Sequence, residues 1–111
     1  MPVVTTPPFE ILTELNPGGV LRVCLAGDFD ISVGTALSDA LVGAARQPGV
    51  THVVVDLSRT GFLASHGVAG LVAGYETATA AGRRFTVVNA RGLPRQVLDI
   101  TGLAEVLIDD D

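Results

Sequence analysis

The stretch THVVVDLSRTGFLASHGVAG, residues 51–70, decides the fold. It opens on a run from His52 to Leu57 that is nearly all apolar (Val53, Val54, Val55). Such a run predicts a central strand covered on both faces. It closes on a helical pattern that begins at Ser65, continues to Ala81 and is ended by Gly82. Between them Gly61 to Gly67 reads as a loop leaving the carboxyl end of the strand. Strand, short loop and helix in that order predict one half of a parallel crossover unit.

Outward from this unit the same signals repeat. Phe85 to Asn89 reads as a second buried strand, and Pro94 to Thr101 as a helix with proline in its first turn and Gly102 at its end. Glu105 to Ile108 reads as a last short strand. Toward the N-terminus, Val33, Leu37, Leu41 and Ala44 fall at helical spacing, with Ser32 as the expected N-cap and Pro48-Gly49 as the stop. Before that helix, Phe9 to Leu15 and Val20 to Ala26 read as strands joined by the turn Asn16-Pro17-Gly18-Gly19. Leu21, Val23 and Leu25 alternate with Arg22, Cys24 and Ala26, giving one core face and one milder face. The order β-β-α-β-α-β-α-β predicts a single α/β domain. Its sheet is mostly parallel, edged by an N-terminal antiparallel hairpin and served by about three helices. Residues 1–8 read as a flexible N-terminal arm, 9–108 as the domain and 109–111 as a solvated acidic tail.

Composition bounds the function. A chain of 111 residues, 48% hydrophobic and 17% charged, has the size and apolar content of one folded domain. The net charge is −5, and the seven basic residues are scattered arginines, so no cluster of cations meets a nucleic-acid backbone. The lone Cys24 excludes an internal disulfide and a cysteine-based zinc cluster. No apolar run approaches the ~20 residues of a membrane span, and no signal peptide is evident, so a cytoplasmic location is expected. Catalysis finds little support. There is no phosphate-binding glycine loop ending in lysine and no nucleophile elbow. His52 and His66 lack metal-pair spacing, and Ser65-His66 are neighbours that point apart at a helix start. Neither an enzyme nor a cofactor site is expected.

Two segments carry what chemistry there is: Gly27-Asp28-Phe29-Asp30 after the second strand, and Gly61 to Gly67. Loops leaving the carboxyl ends of parallel strands gather at one edge, which places Asp28 and Ser65 together. Two readings of these residues stand side by side. Asp30, Ser32 and Ser65 are good helix caps, each contributing ~1 kcal/mol. Equally, a serine at a helix N-terminus is well placed to carry a phosphoryl group, whose charge meets the positive end of the helix dipole and free N–H groups. A phosphate beside Asp28 and Asp30 would sharply raise the negative charge of the edge and repel a partner that recognises the bare serine. Gly67 in the first helical turn costs ~1 kcal/mol relative to alanine, so a close approach to the backbone is expected there.

Val54-Val55-Asp56-Leu57-Ser58, Gly61-Phe62-Leu63-Ala64-Ser65-His66-Gly67, Val87-Val88-Asn89 and Ile100-Thr101-Gly102-Leu103 resemble, in this order, the STAS domain family. Gly27-Asp28-Phe29-Asp30 resembles that family's first signature. The similarity spans about Phe9 to Ile108 and is greatest to the anti-sigma factor antagonists of bacteria. The resemblance implies a non-enzymatic partner: an anti-sigma factor that is also a GHKL-type serine kinase, bound so that a sigma factor is released for transcription. It further implies phosphorylation of Ser65 by that kinase, reversal by a PP2C-type phosphatase, and partner contacts from Asp28, Phe29, Asp30, Ala64, His66, Gly67 and Val68. Homodimer formation stays open. The chain departs from the family pattern at two positions: Ala64 stands where an aspartate usually precedes the phosphoserine, and His66 where a second serine usually follows. The same family also implies two other roles, an accessory subunit of a lipid- or anion-transport complex and a stressosome-type scaffold.

Overall fold

The computed structural model describes residues 9–30 and 35–108. Two strands, β1 (Phe9–Asn16) and β2 (Val20–Phe29), form an antiparallel hairpin. They are followed by α1 (Ala36–Arg46), β3 (His52–Leu63), α2 (Ser65–Ala80), β4 (Arg84–Val88), α3 (Gly92–Thr101) and α4 (Ala104–Leu107). The sheet order is β1-β2-β3-β4, with β2, β3 and β4 mutually parallel, so the expected mixed α/β sheet is present. One element differs. The expected strand over Glu105–Ile108 is the short helix α4, and only Ile108 reaches the sheet, through a single parallel bridge to Val87. The residues after Gly102 coil into one helical turn, and Leu107, fully buried, anchors the segment. The expected N-cap Ser32, the periodic Val33 and the acidic tail lie outside the described residues, and α1 begins at Ala36.

Packing follows the alternation read from sequence. Leu21, Val23 and Leu25 of β2 and Val53, Val55 and Leu57 of β3 are all buried in one cluster with Leu37 and Leu41 of α1 and Leu71 of α2. On β1, Phe9 and Ile11 pack against the core, whereas Leu15 is 53% exposed. The glycine stripe of α2 explains how closely the helices approach. A Cβ at Gly70 would lie 3.1 Å from the Ser38 backbone nitrogen, and one at Gly74 would lie 2.8 Å from the Phe85 ring and 2.9 Å from Leu41 Cβ. Only hydrogen fits at Gly74 without a shift, and at Gly70 a methyl would press on the α1 backbone. Arg83 donates from Nη1 to the carbonyls of Ala45 (2.8 Å) and Gln47 (2.6 Å). It adds a donor to two carbonyls where α1 ends, that of Gln47 also accepting the Val50 amide at 3.2 Å, and places a cation at the negative end of that helix.

Candidate functional edge

The two segments singled out in the sequence begin as strand, not loop. β2 runs on to Phe29 and β3 to Leu63, paired in parallel through Asp28↔Phe62 and Phe29↔Leu63. The amide of Ala64 then donates to the Phe29 carbonyl at 2.8 Å. This bond ties the residue before Ser65 to the residue after Asp28, so Asp28 and Ser65 share one edge of the domain. Both are exposed.

Two register shifts on β3 make this arrangement. Cys24 pairs with Asp56 and Ala26 with Arg59, so β3 carries one extra residue beside Leu25. The Thr60 hydroxyl donates to the Leu25 carbonyl at 2.6 Å, satisfying a group in the disrupted ladder. Asp56 accepts the Ser58 amide at 2.8 Å and so turns the chain at the same place. A second shift makes Gly61 the extra residue between Thr60, which pairs with Gly27, and Phe62, which pairs with Asp28.

Asp56 itself is buried in mid-sheet. It accepts hydrogen bonds from Ser58, from Asn89 Nδ2 at 3.3 Å and from Arg22, with which it forms an ion pair. Burial alone would push its carboxyl up. The bonds from Ser58, Asn89 and Arg22 outweigh that and hold it below the ordinary carboxylate value. The Arg22 guanidinium is in turn raised, chiefly by its hydrogen bond to Asp56 and against the opposing effect of burial. This network fixes β2, β3 and the end of β4 to one another behind the edge.

Ser65 is the first helical residue of α2, and Ala64, in extended conformation, is the N-cap. Alanine offers no side-chain acceptor, so the amides of the first turn have no side-chain cap. Ser65 is therefore not capping the helix: its hydroxyl stands exposed, with no hydrogen-bond partner among the described residues. His66 is exposed beside it, and Ala64 and Val68 are half-buried one turn apart, joined by the Val68 amide to the Ala64 carbonyl at 3.0 Å. Asp30 is half-buried just past β2.

Two residues expected at the surface lie beneath it. Phe29 is completely buried and packs on Phe9 with ring centroids 5.2 Å apart. Gly67 is buried too, and the close approach expected at its backbone is intramolecular. A Cβ there would lie 2.5 Å from Leu63 Cδ1 and 3.4 Å from Phe29 Cβ. Gly67 lets the start of α2 settle onto two core side chains, which holds Ser65 at a fixed height above the sheet. Sequence reasoning passed over Phe62, which is 41% exposed and lies beside Asp28. The glycine before it, inside a strand pattern, was the available signal.

Elsewhere, a concavity of about 600 Å³ opens over β1 to β3, with Leu12, Arg22, Cys24, Asp56 and Arg59 among its walls. Among the described residues no group of histidine, cysteine or carboxylate side chains is arranged to hold a metal. No described helix is long and apolar enough to cross a membrane.

The comparisons agree with this geometry. A family model described as "Mlab, STAS domain" matches residues 14–109. An anti-sigma factor antagonist from Mycobacterium paratuberculosis superposes with a TM-score of 0.77 at 33% identity, over 94% of this chain and 87% of that one. The anti-sigma factor antagonist SpoIIAA in its unphosphorylated form gives 0.77 at 20% identity, over 92% and 89%. A sulfate transporter family protein from Wolinella succinogenes gives 0.68 at 19%, over 85% and 75%. No curated protein matches by sequence. With a family model over most of its length and a one-third-identical relative of the same shape, the chain belongs to the STAS domain family.

Proposed function

We propose that the protein is an anti-sigma factor antagonist. Its edge of Asp28, Asp30, Ala64, Ser65, His66 and Val68 docks on an anti-sigma factor with GHKL-type serine-kinase activity and so releases a sigma factor. The observation that carries the reading is the exposed, unpartnered Ser65 hydroxyl at the first position of α2, tied to the Asp28 end of β2 by the Ala64–Phe29 hydrogen bond. The likeness to the mycobacterial antagonist supports it. Ser65 is the phosphate acceptor. A phosphoryl group there adds roughly −1.5 to −2 charge where Asp28 already stands. It meets the first-turn amides of α2, which no side chain caps, so the modification is tolerated by the fold and felt by the partner. A PP2C-type phosphatase resets the edge.

The test is a pull-down from the source organism with wild-type and Ser65→Asp proteins in parallel, bound proteins being identified by mass spectrometry. The reading expects a GHKL-type serine kinase held by wild type and lost with Ser65→Asp. Retention of that kinase by both proteins would remove the switch and leave the docking.

A second reading, an accessory subunit of a lipid- or anion-transport complex, draws on the sulfate transporter family protein of the same fold. Recovery of membrane-complex subunits in place of a kinase is its mark.

A further inference from the structure

The second register shift of β3 has a consequence for a residue no motif assigns. Thr60 is buried, and in an unbroken strand Gly61 would face out, Phe62 in and Leu63 out. The observed pattern differs: Gly61 and Phe62 are both exposed and Leu63 is buried. The extra residue at Gly61 turns an aromatic ring to solvent and gives its core place to leucine. Leaving a phenylalanine 41% exposed forgoes part of the stabilisation its full burial would contribute.

Asp28 is the in-register neighbour of Phe62 on β2. Its carboxylate lies over the extra glycine, since a Cβ at Gly61 would come within 2.9 Å of Asp28 Oδ1. Phe62 and Asp28 thus occupy paired positions on neighbouring strands, both exposed, a short step before Ala64 and Ser65. Large aromatic side chains at the centre of a docking surface carry a disproportionate share of affinity, and charges around them set orientation. The nearest exposed cation on these strands is Arg59, beside Ala26 and set back from the Phe62 end.

We infer that Phe62 is the apolar anchor of the docking edge and that Gly61 is the positioning residue that presents it. The partner surface is then an apolar pocket sized for one aromatic ring, with a positively charged group where Asp28 meets it. This inference rests on the docking reading above and names what the partner must offer.

The test uses the full chain and the kinase that the wild type retains, purified, with affinities measured by calorimetry. Phe62→Ala is expected to weaken binding by at least about thirtyfold, the ordinary size of an anchor residue. Its melting temperature should stay near wild type, since the ring lies largely outside the core. Gly61→Ala keeps the ring but displaces the Asp28 carboxylate, and is expected to weaken binding several-fold and to reduce its salt dependence. Affinity within about threefold of wild type for both variants would overturn the inference while leaving the docking reading intact. A large drop in melting temperature for Phe62→Ala would overturn it too, because the ring would then belong to the core. Failure of the wild type to retain any serine kinase would overturn the docking reading itself.

Discussion

At the scale of the residue, Asp56 illustrates how a buried charge is kept. Its carboxyl titrates below the ordinary value because Ser58, Asn89 and Arg22 together outweigh the cost of burial. A depressed folded-state value means that the unfolded chain binds the proton first as pH falls. The stabilisation is therefore complete above the ordinary carboxylate range and is lost as pH drops through the lowered folded value. Asp56→Asn is expected to cost about 2 kcal/mol at neutral pH in urea titrations. That lies below the usual cost of breaking a buried pair, because Arg22 reaches water. The gap from wild type should close toward acid pH. The residue types at the edge were legible in sequence, because Ser65, Asp28 and Gly67 are unusual where they fall. The partners of Asp56 were not, because Arg22 and Asn89 lie more than thirty positions away and only the strand pairing brings them in.

Elements show where local signals sufficed and where they did not. The hairpin, the parallel strands and three helices could be read from period and punctuation, since each buries one face or stops at glycine or proline. The lengths of β2 and β3 could not. Gly27 and Gly61 look like loop residues, but here they mark places where the strands continue with a shifted register. The last strand failed for a different reason: Val106 and Ile108 alternate like a strand, yet α4 forms from the four residues before the bridge. Helix glycines make a direct test. Gly43 of α1 is exposed with open space around it, so Gly43→Ala should stabilise by about 0.5–1 kcal/mol. Gly74→Ala meets Phe85 and Leu41 and should destabilise by about 1–2 kcal/mol, crowding outweighing helix propensity. Opposite signs in thermal melts are expected for the same substitution in two helices. Ala64→Asp supplies the missing N-cap of α2 and should raise stability by about 1 kcal/mol. If it does not, the cap position has been misplaced.

For the whole molecule, the sheet works as a rigid support for one edge. The Arg22–Asp56–Asn89 network, the buried Phe29 and the close seat of Gly67 hold Asp28, Phe62 and Ser65 in fixed relation. On the proposed reading, a single phosphate on Ser65 changes the charge of the docking edge without unfolding any part of it. The most direct measurement compares unmodified and Ser65-phosphorylated protein for affinity to the retained serine kinase, with both melting temperatures recorded. The expected result is a loss of at least about a hundredfold, the several kcal/mol of like-charge juxtaposition, with no fall in melting temperature. Equal affinity of the two forms would contradict the switch at the centre of this account.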